Sequence, residues 1–249
     1  MRDMGTTRRL ELEGAYNVRD LGGYETVDGR SSRWRRFLRA DSLHRLSPAS
    51  QAKLVDYGVR TAVDLRRTDE TEVEPNVFVG SAEVAYYHKN MIGDSLVDPT
   101  GAMAYPERAV SFYPLILDER LDQIGETLAI LAAPDSGTAL FHCAGGQDRT
   151  GLIAALLLGV AGVPAQTIAE DYTLTAEYIV DRYRGPDAPT EVDPADYTVE
   201  AYRQRNCMPE VMLLTLDHLD QRYGGVEGYV RAAGLSDRQI GDLRRSFVE

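Results

Sequence analysis

One cysteine and one arginine stand six residues apart in a short segment crowded with small residues. The segment FHCAGGQDRTG, residues 141–151, holds Cys143 and Arg149 together with three glycines and a threonine. A guanidinium matches two oxygens of a tetrahedral oxyanion, and a thiolate beside such an anion is a nucleophile. The spacing therefore predicts a site that binds a phosphate-like group and attacks it through sulfur.

The segment needs a strand before it and a helix after it. Strand-forming residues fill 137–143, and the apolar run over 152–163 predicts a buried helix that begins near Thr150. A helix starting there directs backbone N–H groups and its positive dipole end toward one spot. The same surroundings favour a thiolate at Cys143, since a free thiol has a pKa of about 8.5.

The other residues of the segment take supporting roles. We expect Gly145 and Gly146 to adopt conformations that other residues resist, and Gly151 to let the helix pack closely on the strand. His142 is expected to brace the loop through hydrogen bonds, and the Thr150 hydroxyl to help the sulfur leave in a second step. The predicted phosphate-binding residues are Ala144, Gly145, Gly146, Gln147, Asp148 and Arg149.

A leaving alkoxide or phenoxide needs a proton, which a carboxylic acid within hydrogen-bond reach must supply. Asp148 inside the loop is one candidate. Asp64 is the other, near the end of a predicted strand over 59–66. Pairing with Arg66 or Arg67 to hold a turn is an equally good role for Asp64, and the sequence leaves the choice of acid open.

The order of the predicted elements is typical of an α/β fold with parallel strands. Ligands of such sheets bind beyond the carboxyl ends of the strands, so Cys143 and Asp64 are expected at one edge. We predict a single domain over residues 1–249, with a helical lid and an acidic, Pro-rich loop within 164–206. The other predicted elements are a hairpin turn at Asp28-Gly29, a helix over 48–57, a strand over 83–90, a helix over 119–133, a helix from about Pro209 to Gly224 and a capped helix after Ser236.

Composition excludes several classes of function. The net charge of −12 disfavours nucleic acid and anionic membrane surfaces, and the longest apolar run is far short of the roughly 20 residues of a membrane span. Two cysteines and no signal-like N-terminus favour a cytoplasmic location, with export by an unrecognised signal left open. His44, His88 and His218 are scattered, so we expect no metal and no cofactor.

The chain resembles the cysteine-dependent protein tyrosine phosphatases, more narrowly bacterial enzymes of the mycobacterial tyrosine phosphatase B type. His142-Cys143, Gly146 and Asp148-Arg149-Thr150-Gly151 match the loop signature. The segments NVRDLGGYETVDGR, LRADSLHRLS, GVRTAVDLRR and YGGVEGYVRAAGLSD extend the resemblance over most of the chain.

That resemblance implies a phosphatase-type fold, with a mostly parallel central sheet flanked by helices and a mobile C-terminal helical lid. It implies hydrolysis of phosphotyrosine in a protein or peptide through a cysteinyl-phosphate, extended in some members to phosphoserine, phosphothreonine or phosphoinositides. It also implies a phosphate or sulfate anion in the loop, no metal, and a catalytic role for Asp148.

One departure concerns Gln147, which stands where many relatives carry lysine. The missing cation weakens the case for phosphoinositides, although Arg66, Arg67 or the run Arg33, Arg35, Arg36 and Arg39 could compensate. The alternatives kept open are a phosphoinositide phosphatase, a non-catalytic phosphate-binding module, and a sulfur or arsenate transferase.

Overall fold

A five-stranded sheet forms the centre of the computed structural model, which describes residues 7–94, 103–133, 137–184 and 197–249. The strand order is β1-β2-β5-β3-β4; β1 is antiparallel to β2, and all other neighbours are parallel. The mixed α/β class with a mostly parallel sheet is thus confirmed. The strands are β1 Arg19–Asp20, β2 Phe37–Ala40, β3 Val59–Asp64, β4 Ala85–His88 and β5 Thr138–His142.

Helices cover both faces of this sheet. Successive side chains of a strand point to opposite faces, and Phe37 and Phe141 join one buried cluster while Leu38 and Leu140 join another. The helices are α1 Pro48–Tyr57, α2 Thr68–Val73, α3 Glu107–Glu119, α4 Leu121–Leu131, α5 Asp148–Ala161, α6 Ala165–Ile179, α7 Val199–Asn206, α8 Pro209–Tyr223, α9 Val226–Ala232 and α10 Asp237–Phe247, with a 3₁₀ turn over Val180–Tyr183.

Helix ends follow the capping residues of the sequence. The Ser47 side chain accepts from Ser50 N at the start of α1, and Gly58 ends that helix with φ of 113°. At α10, Ser236 and Gln239 form the predicted capping box. The predicted helices over 48–57 and 119–133, and those near Pro209 and Ser236, are confirmed, as are the strands over 59–66, 83–90 and 137–143.

The predicted hairpin at Asp28-Gly29 is present as a tight turn and is shorter than expected. Thr26 N donates to Arg30 O at 2.9 Å, and Gly29 has a φ of 79°. Glu25 and Ser31 form an isolated bridge, and the chain then enters β2, which pairs with β5 on its other side.

The region predicted as a lid contains elements with different surroundings. Helix α6 is packed in the core, with Ile168, Asp171 and Tyr172 buried. Helix α7 lies against the Cys143–Arg149 loop, and residues 185–196 of the acidic loop lie outside the described residues. A lid movement and the single-domain organisation stay predictions. Within the described ranges, no helix is long and apolar enough to cross a membrane.

Candidate active site

The loop between β5 and α5 has all of its carbonyl oxygens occupied by protein donors. Cys143 follows directly after β5, and Asp148 begins α5 with Arg149 in its first turn. The five pairs are Cys143 O with His142 Nδ1 at 3.2 Å, Ala144 O with Ser42 N at 3.0 Å, Gly145 O with Asn17 Nδ2 at 3.0 Å, Gly146 O with Arg39 Nη2 at 2.8 Å, and Gln147 O with Gly151 N at 2.7 Å.

The backbone N–H groups of this loop differ from its carbonyl oxygens in their hydrogen bonding. Among the described residues, no group accepts a hydrogen bond from the N–H of residues 144–148. Buried amides need acceptors, and a turn with successive N–H groups on its inner side is an anion-binding concavity. The loop therefore carries the donors that the sequence predicted for a phosphate group.

Gly146 is the residue that permits this path. Its φ is 66°, and a Cβ there would lie 2.5 Å from Ala40 O at the end of β2. Gly145 takes no left-handed conformation and has open space around its Cα, so the expectation of special backbone freedom holds for Gly146 alone. The predicted close approach at Gly151 is to the ring of Tyr172, 3.0 Å from an ideal Cβ, and so to α6 rather than to the strand.

Arg149 forms a two-pronged ion pair with Glu70 of α2. Nη1 lies 2.5 Å from Oε2 and Nη2 lies 3.1 Å from Oε1, with the two side chains 14% and 27% exposed. Burial alone would lower the pKa of Arg149, but the Cys143 sulfur and the Glu70 carboxylate raise it above its usual value. The arginine therefore stays charged beside the sulfur.

The Glu70 pair leaves one edge of the guanidinium for a ligand. Of its five N–H groups, Glu70 takes one on each terminal nitrogen, and Leu65 O lies 3.5 Å from Nη1. The Nε–H and the second Nη2–H make up the adjacent edge of the fork, which matches two oxygens of a phosphate. Glu70 thus fixes the arginine without using both of its bidentate edges.

Asp148 is an exposed residue at the mouth of the loop. Tyr113 donates its hydroxyl to Asp148 Oδ1, and the Tyr113 and Tyr172 hydroxyl oxygens lie 2.9 Å apart. Gln147 Nε2 lies 3.4 Å from the same carboxylate oxygen. Within the described ranges these contacts all involve Oδ1, which leaves Oδ2 for a reacting group in the cleft.

A cleft of about 310 Å³ opens beside Asp148 and Arg149. About half of its lining is apolar or aromatic, mostly from α3 and the residues before it, and the other half is polar, with two arginines besides Arg149. The lining residues are Ile92, Met103, Tyr105, Arg108, Ala109, Phe112, Tyr113, Ile116, Gln147, Asp148, Arg149, Arg205 and Asn206. A flat aromatic ester suits such walls.

Asp64 lies at the same edge as the loop, as predicted, and is fully buried. It is the register partner of His142, and Arg66 donates to it from Nε at 2.9 Å and from Nη2 at 2.7 Å. Burial alone would raise the pKa of Asp64, but His142 and Arg66 hold it well below its usual range. The pair with Arg66, one of the two roles considered for Asp64, is therefore present, and the choice of the acid stays a prediction.

His142 connects Asp64 to the loop. Its Nε2 lies 3.4 Å from Asp64 Oδ2 and 2.7 Å from Asn76 Nδ2, while its Nδ1 donates to Cys143 O. The ring is fully buried. These contacts agree with the predicted bracing role.

The Thr150 hydroxyl is buried and has no hydrogen-bond partner in the part of the chain that is described. A buried hydroxyl without a partner is costly. The hydroxyl is therefore without a protein partner within the described ranges, and its donation to the sulfur stays a prediction.

Gln147 faces helix α7. Tyr202 donates to its Oε1 at 3.0 Å, and its Nε2 donates to the backbone oxygen of Asn206. The arginines named as substitutes for the missing lysine include Arg66, bound to Asp64, and Arg39, buried behind the loop. Neither of these two lines the cleft.

Cys207 is buried. Its sulfur lies 3.9 Å from Thr173 O, and burial raises the pKa of the thiol to about 12. Both cysteines are free. The metal-free and cofactor-free expectations stay predictions.

Sequence reasoning gave no site role to Glu70, Tyr113 and Asn17, which contact the loop or its arginine, and it considered Arg39 only as a substitute for the missing lysine. Asn17 belongs to the segment NVRDLGG, and Glu70 follows the GVRTAVDLRR segment, so a signal was present without a stated role. Tyr113 lies 35 residues from Asp148 and comes near it only through the packing of α3.

Comparisons with known proteins agree with this geometry. The sequence profile described as the tyrosine phosphatase family matches residues 10–249. A tyrosine-protein phosphatase of Nostoc commune is 30% identical over 214 residues, covering 84% of this chain and 72% of the relative. The triple specificity protein phosphatase PtpB of Mycobacterium tuberculosis is 24% identical over 278 aligned positions, covering 94% of this chain and 97% of the relative.

Proposed function

The chain belongs to the tyrosine phosphatase family, a family of phosphoric monoester hydrolases, and from that premise we propose which residues carry its reaction. Cys143 Sγ attacks phosphorus of the ester and displaces the leaving oxygen, giving a cysteinyl-phosphate. Arg149 and the loop amides of residues 144–148 hold the three non-bridging oxygens. Water then attacks phosphorus, releasing inorganic phosphate and restoring the thiolate.

One observation carries this proposal: every carbonyl oxygen of the loop is bonded to a protein donor, while its amides lack acceptors among the described residues. A loop with this polarity offers fixed donors to an anion. Positioning and charge stabilisation of this kind provide most of the acceleration in phosphoryl transfer. Arg149 completes the set with a permanent charge.

We propose that Asp148 moves the proton. Its exposed carboxyl donates a proton to the leaving oxygen and in the second step takes one from the attacking water. Tyr113 orients it through Oδ1. Asp64, fully buried and bound to Arg66, acts as a positioning residue through His142 and the Cys143 carbonyl. Thr150 donates to the sulfur when it leaves.

The substrate class follows from the cleft. Aromatic walls at Tyr105, Phe112 and Tyr113 suit a phosphotyrosyl ring in a protein or peptide, and inorganic phosphate or sulfate fits the loop as the bare anion. Gln147 is bound to α7, and neither Arg39 nor Arg66 lines the cleft, whereas Arg108 and Arg205 do, so a phosphoinositide stays the alternative substrate. A cytoplasmic location stays our proposal for the enzyme's compartment.

The test replaces each cysteine in turn. Cys143→Ser should abolish turnover of a phosphotyrosyl peptide while retaining inorganic phosphate binding, whereas Cys207→Ser should keep turnover near the wild-type rate. Cys207 is a suitable control because it is also buried and free. Undiminished turnover in Cys143→Ser would refute the proposal, and a wild-type burst without turnover would support a non-catalytic phosphate-binding module.

A second experiment separates the two carboxylates. Asp148→Asn should lower kcat/KM about 10²- to 10⁴-fold for phenyl phosphate and less for esters with more acidic phenols, since a good leaving group needs no acid. Asp64→Asn should lower the rate equally for all esters. A leaving-group dependence in Asp64→Asn, and none in Asp148→Asn, would reverse the assignment.

A further inference from the structure

Two arginines and one aspartate form a buried triad behind the loop. Asp171 of α6 lies 3.1 Å from Arg19 Nε of β1 and 2.6 Å from Arg39 Nη1 of β2. All three side chains are at most 1% exposed. Tyr24 donates to Asp171 Oδ1 at 2.8 Å, so the carboxylate is fully engaged.

The triad reaches two loop carbonyls. Arg39 donates from Nη2 to Gly146 O at 2.8 Å. Arg19 donates from Nη1 to Asn17 Oδ1, and Asn17 Nδ2 in turn lies 3.0 Å from Gly145 O and 3.2 Å from Gly146 O. The arginines thus act on these peptide units directly and through one amide.

Because the peptide bond is planar, a hydrogen bond to a carbonyl oxygen also fixes the direction of the next N–H group. In a trans peptide the carbonyl of one residue and the N–H of the next point in opposite directions. Drawing Gly145 O and Gly146 O toward the triad therefore turns the N–H groups of Gly146 and Gln147 the other way, toward the inner side of the loop.

The net charge of the triad gives a second argument for a role in anion binding. Two guanidinium groups and one carboxylate leave a net charge of +1 in a buried position, where screening by solvent is weak. Buried ionic groups are often neutral or unfavourable for stability compared with apolar residues of similar volume. Stability is therefore a weak explanation for the triad, and its contacts with the loop indicate a role there.

We propose that the Arg19–Asp171–Arg39 triad, with Asn17, is the device that positions the Gly146 and Gln147 amides for the phosphoryl oxygens. This inference rests on the proposed function of the loop. It assigns a role in the reaction to residues that touch neither the substrate nor Cys143. Arg39, which contacts both Asp171 and Gly146, is the residue to test.

The experiment compares Arg39→Met with Arg36→Met in the full-length protein. Arg36 is a matched control: it precedes β2, is buried, and donates to backbone oxygens remote from the loop, at 2.7 Å to Leu131 O and 3.3 Å to Gly137 O. The readouts are the Kd of inorganic phosphate and of orthovanadate, kcat and KM for a phosphotyrosyl peptide, and the melting temperature.

We expect Arg39→Met to weaken phosphate and vanadate binding about 10- to 100-fold, with an equal loss in kcat/KM, and Arg39→Lys to recover part of it because it keeps a charged donor. Arg36→Met should lower the melting temperature and leave both anion affinities unchanged. If Arg39→Met does not fold, Asn17→Ala takes its place with the same expectation.

Wild-type affinity in folded Arg39→Met, or affinity losses that follow the melting temperature in both variants, would overturn the inference. Either result would leave the proposed function intact as long as the wild-type protein binds vanadate and Cys143→Ser is inactive. Failure of the wild-type protein to bind the anions would instead refute the proposed function.

Discussion

Replacement of Glu70 by glutamine tests whether the reaction depends on the ion pair that holds Arg149 in place. Glu70 binds Arg149 through both carboxylate oxygens, at 2.5 Å and 3.1 Å, and Oε2 also accepts from Arg67 N at 2.8 Å. Glutamine keeps one oxygen for these donors and turns an N–H₂ group toward the guanidinium. The variant therefore removes one charge-assisted hydrogen bond while sparing the backbone of α2.

A hydrogen bond to a charged group contributes about 1.5–3 kcal/mol. At about 1.36 kcal/mol per tenfold in rate, full loss would lower kcat/KM about 10- to 150-fold. The exposed fractions of 14% for Arg149 and 27% for Glu70 allow some solvent screening, which places the expected loss at about 10- to 30-fold.

The assay is steady-state hydrolysis of an aryl phosphate, with Glu72→Gln as control because Glu72 is exposed on the same helix.

Burial would raise the pKa of Glu70, but Arg149 lowers it below its usual range. Glu70 is therefore ionised, and fully able to bind Arg149, above the ordinary Glu pKa of about 4.3. This ion pair is lost only as pH falls through the lower pKa of Glu70 in the folded protein. The ratio of wild type to variant should stay constant from pH 5 to 7. An unchanged kcat/KM in Glu70→Gln, or an equal loss in Glu72→Gln, would refute the reasoning.

Three further outcomes are expected. Gly146→Ala should abolish phosphate binding measured by calorimetry, because its Cβ would lie 2.5 Å from Ala40 O, while Gly145→Ala, with no atom within 4 Å, should bind normally. The charges of Arg19 and Arg39 outweigh burial and lower the pKa of Asp171, so its stabilisation is present above the unfolded value of about 3.9 and is lost as pH falls through the folded value. In urea titrations, Asp171→Asn should then lower the unfolding free energy by about 3–5 kcal/mol at pH 7, and the difference should shrink below pH 4. With its pKa raised to about 12, Cys207 should stay unmodified by iodoacetamide at pH 7.5 in peptide mapping of the folded protein.

The parts of the site that local chemistry specifies were predictable from the sequence. The strand–loop–helix unit follows from strand formers, glycines and an apolar run between residues 137 and 163, and Asp64 reaches the same edge because parallel strands end together. Caps at Ser47 and Ser236 marked helix starts because side-chain oxygens there satisfy backbone donors.

The residues that hold the loop from outside were not predictable. Helix α2, Thr68–Val73, is short and almost wholly polar, so it lacks the apolar period that indicates a helix, and Glu70 was missed with it. Strand β1 has two residues, too few for an alternating pattern. Asp171 is 132 residues from Arg39, and such a pair depends on the packing of α6, which spacing along the chain does not encode.

The hydrogen bonds from Gln147 to α7 limit which residues can replace it. Its side chain accepts from Tyr202 at one end and donates to the Asn206 backbone oxygen at the other, so it joins the Cys143–Arg149 loop to helix α7. A lysine there has no acceptor atom for the Tyr202 hydroxyl. A lysine at position 147 would therefore add a cation and weaken the attachment of α7 to the loop. Recognition of additional negative charge on a substrate and rigid attachment of α7 are thus coupled through this one residue.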